Sequence, residues 1–297
     1  MPTPPEDLPV THHHDIYPGI APSRFAGSLK GKVVFITGAS RGIGEATAVA
    51  FAQSGASLFL ASRKRATLDG VKDSILKAVS DTKVGTRVTD VVDHKSVRAA
   101  IEACVKEFGR LDVVVSNAGT MENFGQSTYT AMAEHDPDGW WQIWEVNVKG
   151  SFNVAHYALP ELGKTKGYFI FLSSIGAQRR DHGASSYPTG KHAVNRIAEF
   201  AAIETPGVKV FAVHPGAVKT ELSKAGGPWL AKILIDDVQL PAWTMVRLVQ
   251  GTDDYLSGRY VSVNWDLDEV HDQWKEAIVE EDALKNRLAL PSAAHKA

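Results

Sequence analysis

Tyr187 and Lys191 stand four positions apart in a chain of 297 residues. The stretch they open, 187–205, has helical apolar spacing, so the two side chains share one face. A phenol with its ordinary pKa of about 10 is a poor acid or base near neutrality. An ammonium beside it favours the phenolate, and such a phenol can give a proton to a carbonyl oxygen or take one from an alcohol. Ser173-Ser174 closes the apolar run 168–172, which reads as a strand, and a serine hydroxyl at that strand end can hydrogen-bond the same substrate oxygen. Each residue alone has a plainer reading: core packing for Tyr187, a surface charge for Lys191, a strand-end turn for the serines. Their weight comes from what accompanies them.

Far upstream, the apolar run Val33-Val34-Phe35-Ile36 is followed at once by Thr37-Gly38-Ala39-Ser40-Arg41-Gly42-Ile43-Gly44. Glycines here let the chain turn off a strand, admit a pyrophosphate against the backbone and let the next helix pack closely. That helix aims free N–H groups and its positive end at the phosphates. The spacing is Gly-x3-Gly-x-Gly rather than the commoner Gly-x-Gly-x2-Gly, and by itself it also fits a tight strand-to-helix turn. After the second strand, where an NAD site carries an acid for the ribose hydroxyls, the chain reads Leu60-Ala61-Ser62-Arg63. With the acid missing, Arg63 and Arg41 suit a 2′-phosphate, which arginine binds bidentately, so NADP(H) is the expected cofactor.

These residues need a scaffold that gathers strand ends. Strands at 33–36, 57–61, 87–92, 113–115, 168–172, 209–213 and 259–263 alternate with helices at 43–53, 66–79, 96–108, 140–162 and 187–205. That alternation implies a Rossmann-type, doubly wound parallel sheet in a single three-layer α/β/α domain. The catalytic domain is expected over 28–266, preceded by an extended Pro-rich arm over 1–27 and followed by a charged tail helix over 267–297. Regularity fails at 219–243, which reads as a substrate lid.

Bulk properties exclude several functions. A net charge of −2 leaves no electrostatic footprint for nucleic acid, and no apolar run is long enough to span a membrane. The single cysteine, Cys104, lies in an apolar-periodic stretch, reads as a buried structural thiol, and permits neither a disulfide nor a cysteine metal site. His12-His13-His14 reads as a solvated turn, with no metal expected. A reducing, cytoplasmic setting is expected.

Taken in order, the motifs resemble the short-chain dehydrogenase/reductase family over roughly 29–265. They are the Thr37–Gly44 turn, Asp90, Asn117-Ala118-Gly119, Asn147 in Glu145-Val146-Asn147-Val148-Lys149-Gly150, Ser174, Tyr187-x3-Lys191, and Pro215-Gly216 with Thr220. Trp140-Trp141-Gln142-Ile143-Trp144 and Asn264-Trp265-Asp266 resemble a branch common in filamentous fungi. The resemblance implies catalytic roles for Asn147, Ser174, Tyr187 and Lys191, with Lys191 also holding the nicotinamide ribose and Asn147 ordering a water that links Lys191 to solvent. For the cofactor it implies Gly38, Ser40, Arg41, Gly42, Ile43 and Gly44 at the phosphates and Ser62 and Arg63 at the ribose. Asp90 and Val91 would meet the adenine, Asn117, Ala118 and Gly119 the sugar side. Pro215, Gly216, Val218 and Thr220 would close on the nicotinamide.

The expected activity is hydride transfer between nicotinamide and a carbonyl carbon of a moderately hydrophobic small molecule. Met121, Phe124, His214, Trp229, Leu230 and Trp243 are candidate pocket walls, with Arg179, Arg180 and His182 available for an acidic group. Two other readings keep the fold: non-redox dehydration, cyclisation or epimerisation, and NADP(H) sensing without turnover. Homodimers or homotetramers are implied, with contacts along the helices around Val146 and Val194.

Overall fold

A computed structural model describes residues 7–121, 131–226 and 231–288. Seven strands are present in this part of the chain: β1 Val33–Thr37, β2 Ser57–Ser62, β3 Val84–Val88, β4 Val113–Ser116, β5 Tyr168–Leu172, β6 Lys209–His214 and β7 Arg259–Ser262. They pair side by side, all parallel, in the order β3-β2-β1-β4-β5-β6-β7. All of β1 is buried, which is why the apolar run is continuous and not alternating. Its residues still divide between two layers by strand periodicity. Val34 and Ile36 pack in a core with α1 (Gly42–Gln53) and α2 (Arg65–Ala78), whereas Val33 and Phe35 pack in one with α3 (His94–Phe108). This is the doubly wound, single-domain α/β/α architecture read from the pattern.

Local chemistry sets the helix ends. Asp93 caps α3 by accepting a hydrogen bond from the Lys95 amide at 2.9 Å, and Gly109 ends it in the left-handed region. Cys104 lies within α3, fully buried, and burial pushes its thiol pKa well up. Asp136 and Pro137 start α4 (Pro137–Trp144), which runs through a π-turn, Glu145–Lys149, into α5 (Gly150–Thr165). The long helix expected over 140–162 is thus one helical run whose middle turn is widened at Asn147. Two further helices complete the layers, α6 (Ser186–Glu204) and α7 (Gln239–Leu248).

Four stretches differ from expectation. The third strand covers Val84–Val88 and not 87–92. Asp90 ends it with a turn, its Oδ1 accepting the Val92 amide at 3.0 Å while its own amide donates to Ser96 Oγ at 3.2 Å. The apolar Val91 that suggested a strand packs instead against Gly150. Residues 7–27 are not an extended arm but fold back on their own chain, with Tyr17, Ile20 and Phe25 in the core and two 3-10 turns, Pro18–Ile20 and Pro22–Phe25. Among the described residues the tail is helical over 267–280, with a π-turn at Val270–Trp274, before the chain runs alongside β7, where the Tyr260 amide donates to the Leu284 carbonyl at 2.9 Å; residues 289–297 of the expected tail helix lie outside the described residues. Finally, irregularity after Lys219 ends at α7, so the last residues of 219–243 are core. Trp243 is buried, donates to Gln239 at 3.2 Å and stacks on Phe25.

Candidate active site

The chain leaves β1 toward β2 and β3, then returns to β4 on β1's other side. That reversal opens a crevice beyond the carboxyl ends of β1 and β4, and the glycine turn fills its floor. Gly38 sits at φ +65, and a β-carbon there would lie 2.8 Å from Asn117 Nδ2 and 2.9 Å from Ala118 Cα. A β-carbon on Gly44 would press on the Gly38 carbonyl oxygen. Asn117 fastens the two strand ends together, its Nδ2 donating to the Thr37 carbonyl at 2.9 Å and the Gly38 carbonyl at 3.1 Å. Thr37 Oγ1 accepts from the amides of Asn117 and Ala118, each at 3.1 Å. Arg41, the residue before α1, offers no side-chain cap, so the amino end of α1 is available to an anion. Ser62 Oγ is buried with no hydrogen-bond partner at the end of β2, and Arg63, the next residue, and Arg41 in the glycine turn are exposed. Asp90 is exposed and Val91 buried beyond β3.

On the other side of β4 the site is made of side chains. Ser174, just past β5, accepts the Gly176 amide through its Oγ at 3.0 Å. Ser174 Oγ and Tyr187 Cε1 lie 3.2 and 3.7 Å from where a β-carbon on Gly176 would stand. Glycine at 176 therefore keeps the space between serine and tyrosine clear. Ser173 turns the other way, donating to Asn195 on α6 at 2.5 Å. Lys191 is buried one turn along α6 from Tyr187, with Nζ donating to the Leu172 carbonyl at 2.7 Å and standing 5.7 Å from the Tyr187 ring centre. Burial lowers its pKa to about 8. Asn147, in the π-turn, is fully buried, and its amide is spent on the Thr120 backbone, accepting from N–H at 2.9 Å and donating to the carbonyl at 2.7 Å. Gly119 brings this to Lys191: a β-carbon there would stand 3.1 Å from Asn147 Oδ1 and 3.7 Å from Lys191 Nζ. A π-turn is a common way to aim one side chain out of a helix's normal register.

One open cleft, with about 1040 Å³ of empty space continuous with solvent, is lined by Ser174, Tyr187, Pro215, Gly216, Val218 and Thr220, with Ile43 from the glycine turn. Thr220 also approaches Gly42, whose β-carbon would be 3.3 Å from its methyl, so both halves of the site meet there. Of the expected walls, Met121 and His214 line the cleft, as does Arg179, which pairs with Asp181 at 3.0 Å. Trp243 does not, and Arg180 and His182 are exposed to solvent. Phe124, Trp229 and Leu230 lie outside the described residues. Burial holds His214 neutral, with its pKa lowered to about 4. Ser62, Arg63 and Asp90 stand apart from the cleft, at the β2–β3 end.

Gly176 and Asp236 were not singled out from the sequence, and Trp140 and Trp144 entered there only as part of a branch motif with no role at the site. Gly176 carries a local signal, a glycine two residues after the strand-end serine. Trp140 and Trp144 donate their indole N–H groups to Ser185 Oγ at 3.0 Å and Thr189 Oγ1 at 3.2 Å, bracketing the turn that carries Tyr187. Asp236, 3% exposed at its side chain, has no local signal at all. The histidine run is not a free turn: His13 pairs with Asp266 at 2.9 Å and His14 with Asp236 at 2.6 Å.

The short chain dehydrogenase family model matches residues 32–231. A short chain dehydrogenase of Monascus purpureus, mpl6, is 41% identical over 286 residues, covering 94% of this chain and 95% of its own. Another from Monascus ruber, pigC, is 35% identical over 291 residues, covering 94% and 93%. A solved short chain dehydrogenase of Mycobacterium smegmatis superposes with a TM-score of 0.69 at 26% identity, over 81% of this chain and 94% of that one. Levodione reductase shares the fold, with a TM-score of 0.72 at 24% identity over 83% and 100%. The chain belongs to the short-chain dehydrogenase family, in a branch found in filamentous fungi. Members are oxidoreductases of alcohol and carbonyl groups that use NAD or NADP. The residues present fit such a cofactor: the glycine turn is a cradle that β-carbons would fill, and the Ser62 hydroxyl is an orphaned polar atom beside it. Among the described residues no helix is long and apolar enough to cross a membrane.

Proposed function

We propose that the protein is an NADP(H)-dependent ketoreductase or secondary alcohol dehydrogenase acting on a moderately hydrophobic small molecule. The observation that carries this reading is the convergence of Ser174 and Tyr187 on one cleft wall, with the buried Lys191 ammonium 5.7 Å from the phenol ring. Bound nicotinamide would supply or accept the hydride. Gly38, Ser40, Arg41, Gly42, Ile43 and Gly44 would hold its phosphates, and Ser62 and Arg63 the 2′-phosphate. Asp90, Val91, Asn117, Ala118 and Gly119 would hold the adenosine side, and Pro215, Gly216, Val218 and Thr220 the nicotinamide side.

In the reducing direction Ser174 Oγ orients the carbonyl oxygen and the Tyr187 hydroxyl donates its proton to it, giving the alcohol. Lys191 favours the resulting phenolate by charge, and Asn147 fixes the Thr120 backbone beside Lys191. Apolar Met121, Leu222, Ile233 and Leu234 on the cleft support a hydrophobic substrate. Support for NADP over NAD is the pair of exposed arginines and the missing acid after β2. Exposed Phe152 on α5, with Phe200 and Ile203 on α6, supports self-association along those helices. The single buried thiol supports a reducing, cytoplasmic setting.

The test is NADPH absorbance across a panel of ketones, with Tyr187→Phe as control. Loss of the acid should lower kcat by about 10²–10⁴-fold. A mutant as active as the wild type would remove Tyr187 from its role. Product without net NADPH loss would favour non-redox chemistry, and tight NADPH binding without product a sensor.

A further inference from the structure

We propose that Asp236 is a positioning residue for the cofactor, bracing the Pro215–Val218 turn from behind with a carboxylate that His14 and Asn264 complete. The inference rests on the dinucleotide reading above. The turn's front lines the cleft through Pro215, Gly216, Ala217 and Val218. Asp236 packs against the turn from the other side. Asp236 Oδ2 accepts the Ala217 amide, while Oδ1 accepts from Asn264 Nδ2 at 3.0 Å and His14 Nδ1 at 2.6 Å. A carboxylate is acceptor-only, so the histidine nitrogen facing it carries the proton.

The backbone repeats the attachment. The Asp236 amide donates to the Ala217 carbonyl at 3.2 Å, and Val218 and Asp236 form a parallel bridge. Gly216 sits at φ +77, and a β-carbon there would lie 2.6 Å from Asp236 Oδ2. Glycine is thus needed for the carboxylate to close on the turn. The brace is locked from outside as well: the Asp237 amide donates to the His14 carbonyl at 2.8 Å, and Asn264 Nδ2 to the His13 carbonyl at 2.9 Å. Segments from both chain ends thereby converge on the wall expected to face the nicotinamide.

A charged acceptor bonded to a partly buried backbone amide is among the stronger single contacts a protein makes. Losing it should free the turn without removing a core side chain. The experiment compares wild type, Asp236→Asn, His14→Ala and His14→Asn in two ways. Amide exchange at Ala217 is measured in the cofactor-free protein, with Val114 in β4 as a global reference. NADPH and NADH affinities are measured by nicotinamide fluorescence.

Asp236→Asn should raise Ala217 exchange and weaken cofactor binding about tenfold, with Val114 unchanged. His14→Ala should give about a twofold to threefold loss, since its ring is half exposed. His14→Asn, which returns a donor near the place of Nδ1, should recover most of it. If Asp236→Asn binds cofactor as wild type does, or if Ala217 and Val114 exchange rise together, the proposal fails. Should Asp236→Asn not fold, the His14 pair decides: equal Ala217 protection in His14→Ala and His14→Asn overturns it. Failure of wild type to bind either dinucleotide would sink the cofactor reading instead, visible before any variant is made.

Discussion

The two halves of the site are built on different principles. On the β1–β2–β4 side, contacts are made by backbone and glycine: Gly38, Gly42, Gly44 and the crossed bonds of Asn117 and Thr37. Its candidate charges, Arg41, Arg63 and Asp90, are exposed. On the β5–β6–α6 side the site is bordered by buried titratable groups: Lys191, His214 and Asp236. The first half is sensitive to atoms added, the second to groups removed or discharged. A surface that binds phosphates needs close backbone approach, whereas a surface that moves a proton needs groups whose charge burial can tune.

The sharpest way to break this contrast is Gly44→Ala. Its β-carbon would strike the Gly38 carbonyl and lie 2.5 Å from Asn117 Nδ2, and neither is a flexible tip. A loss of about 3 kcal/mol in stability, together with cofactor binding, is expected in denaturant melts. A tolerated alanine would mean that close packing is not what the glycines supply.

Next comes Lys191→Met, read against pH. Burial holds the folded pKa at about 8 against 10.5 for the free group. The unfolded chain therefore binds the extra proton between those values, and stability attributable to this group rises with pH across that window. Below about pH 8 the whole penalty is present, on the order of 3–4 kcal/mol, partly offset by the bond to the Leu172 carbonyl. Lys191→Met should thus be inactive yet more stable than wild type at pH 7, with the advantage shrinking toward pH 10.5. An advantage that stays constant with pH would remove burial of the charge as its cause.

Arg63→Ala probes the other half. Exposed and screened, the arginine should be worth about 1 kcal/mol to a 2′-phosphate, a roughly fivefold drop in NADPH over NADH preference. Equal loss for both cofactors would place Arg63 elsewhere on the dinucleotide. The smallest effect is expected for Trp144→Phe, which deletes the indole donor to Thr189 but keeps the ring. About 0.5–1 kcal/mol should appear as a modest fall in kcat with KM for cofactor unchanged.

The same contrast governs what the sequence makes legible. The glycine turn is local and contiguous, so spacing alone points to it, and the Tyr187–Lys191 pair obeys a helical period. β3 was displaced because Val91 and Val92 look like strand residues while the Asp90 side chain ends the strand. Asp236 was invisible because its partners, His14 and Asn264, are far away in the chain and join it only after both ends fold onto the sheet. His12-His13-His14 looked like a solvated turn for the same reason: its carboxylates come from Asp236 and Asp266, and tertiary contacts leave no period to read.

The solitary sulfur under α3 gives the molecule a built-in clock. With Cys104 sealed between that helix and the sheet, and its thiolate disfavoured, a maleimide or disulfide reagent has nothing to attack while the domain stays shut. Any labelling that does occur counts openings of that layer. A thiol engineered onto the surface would report alone, without competition from the native one.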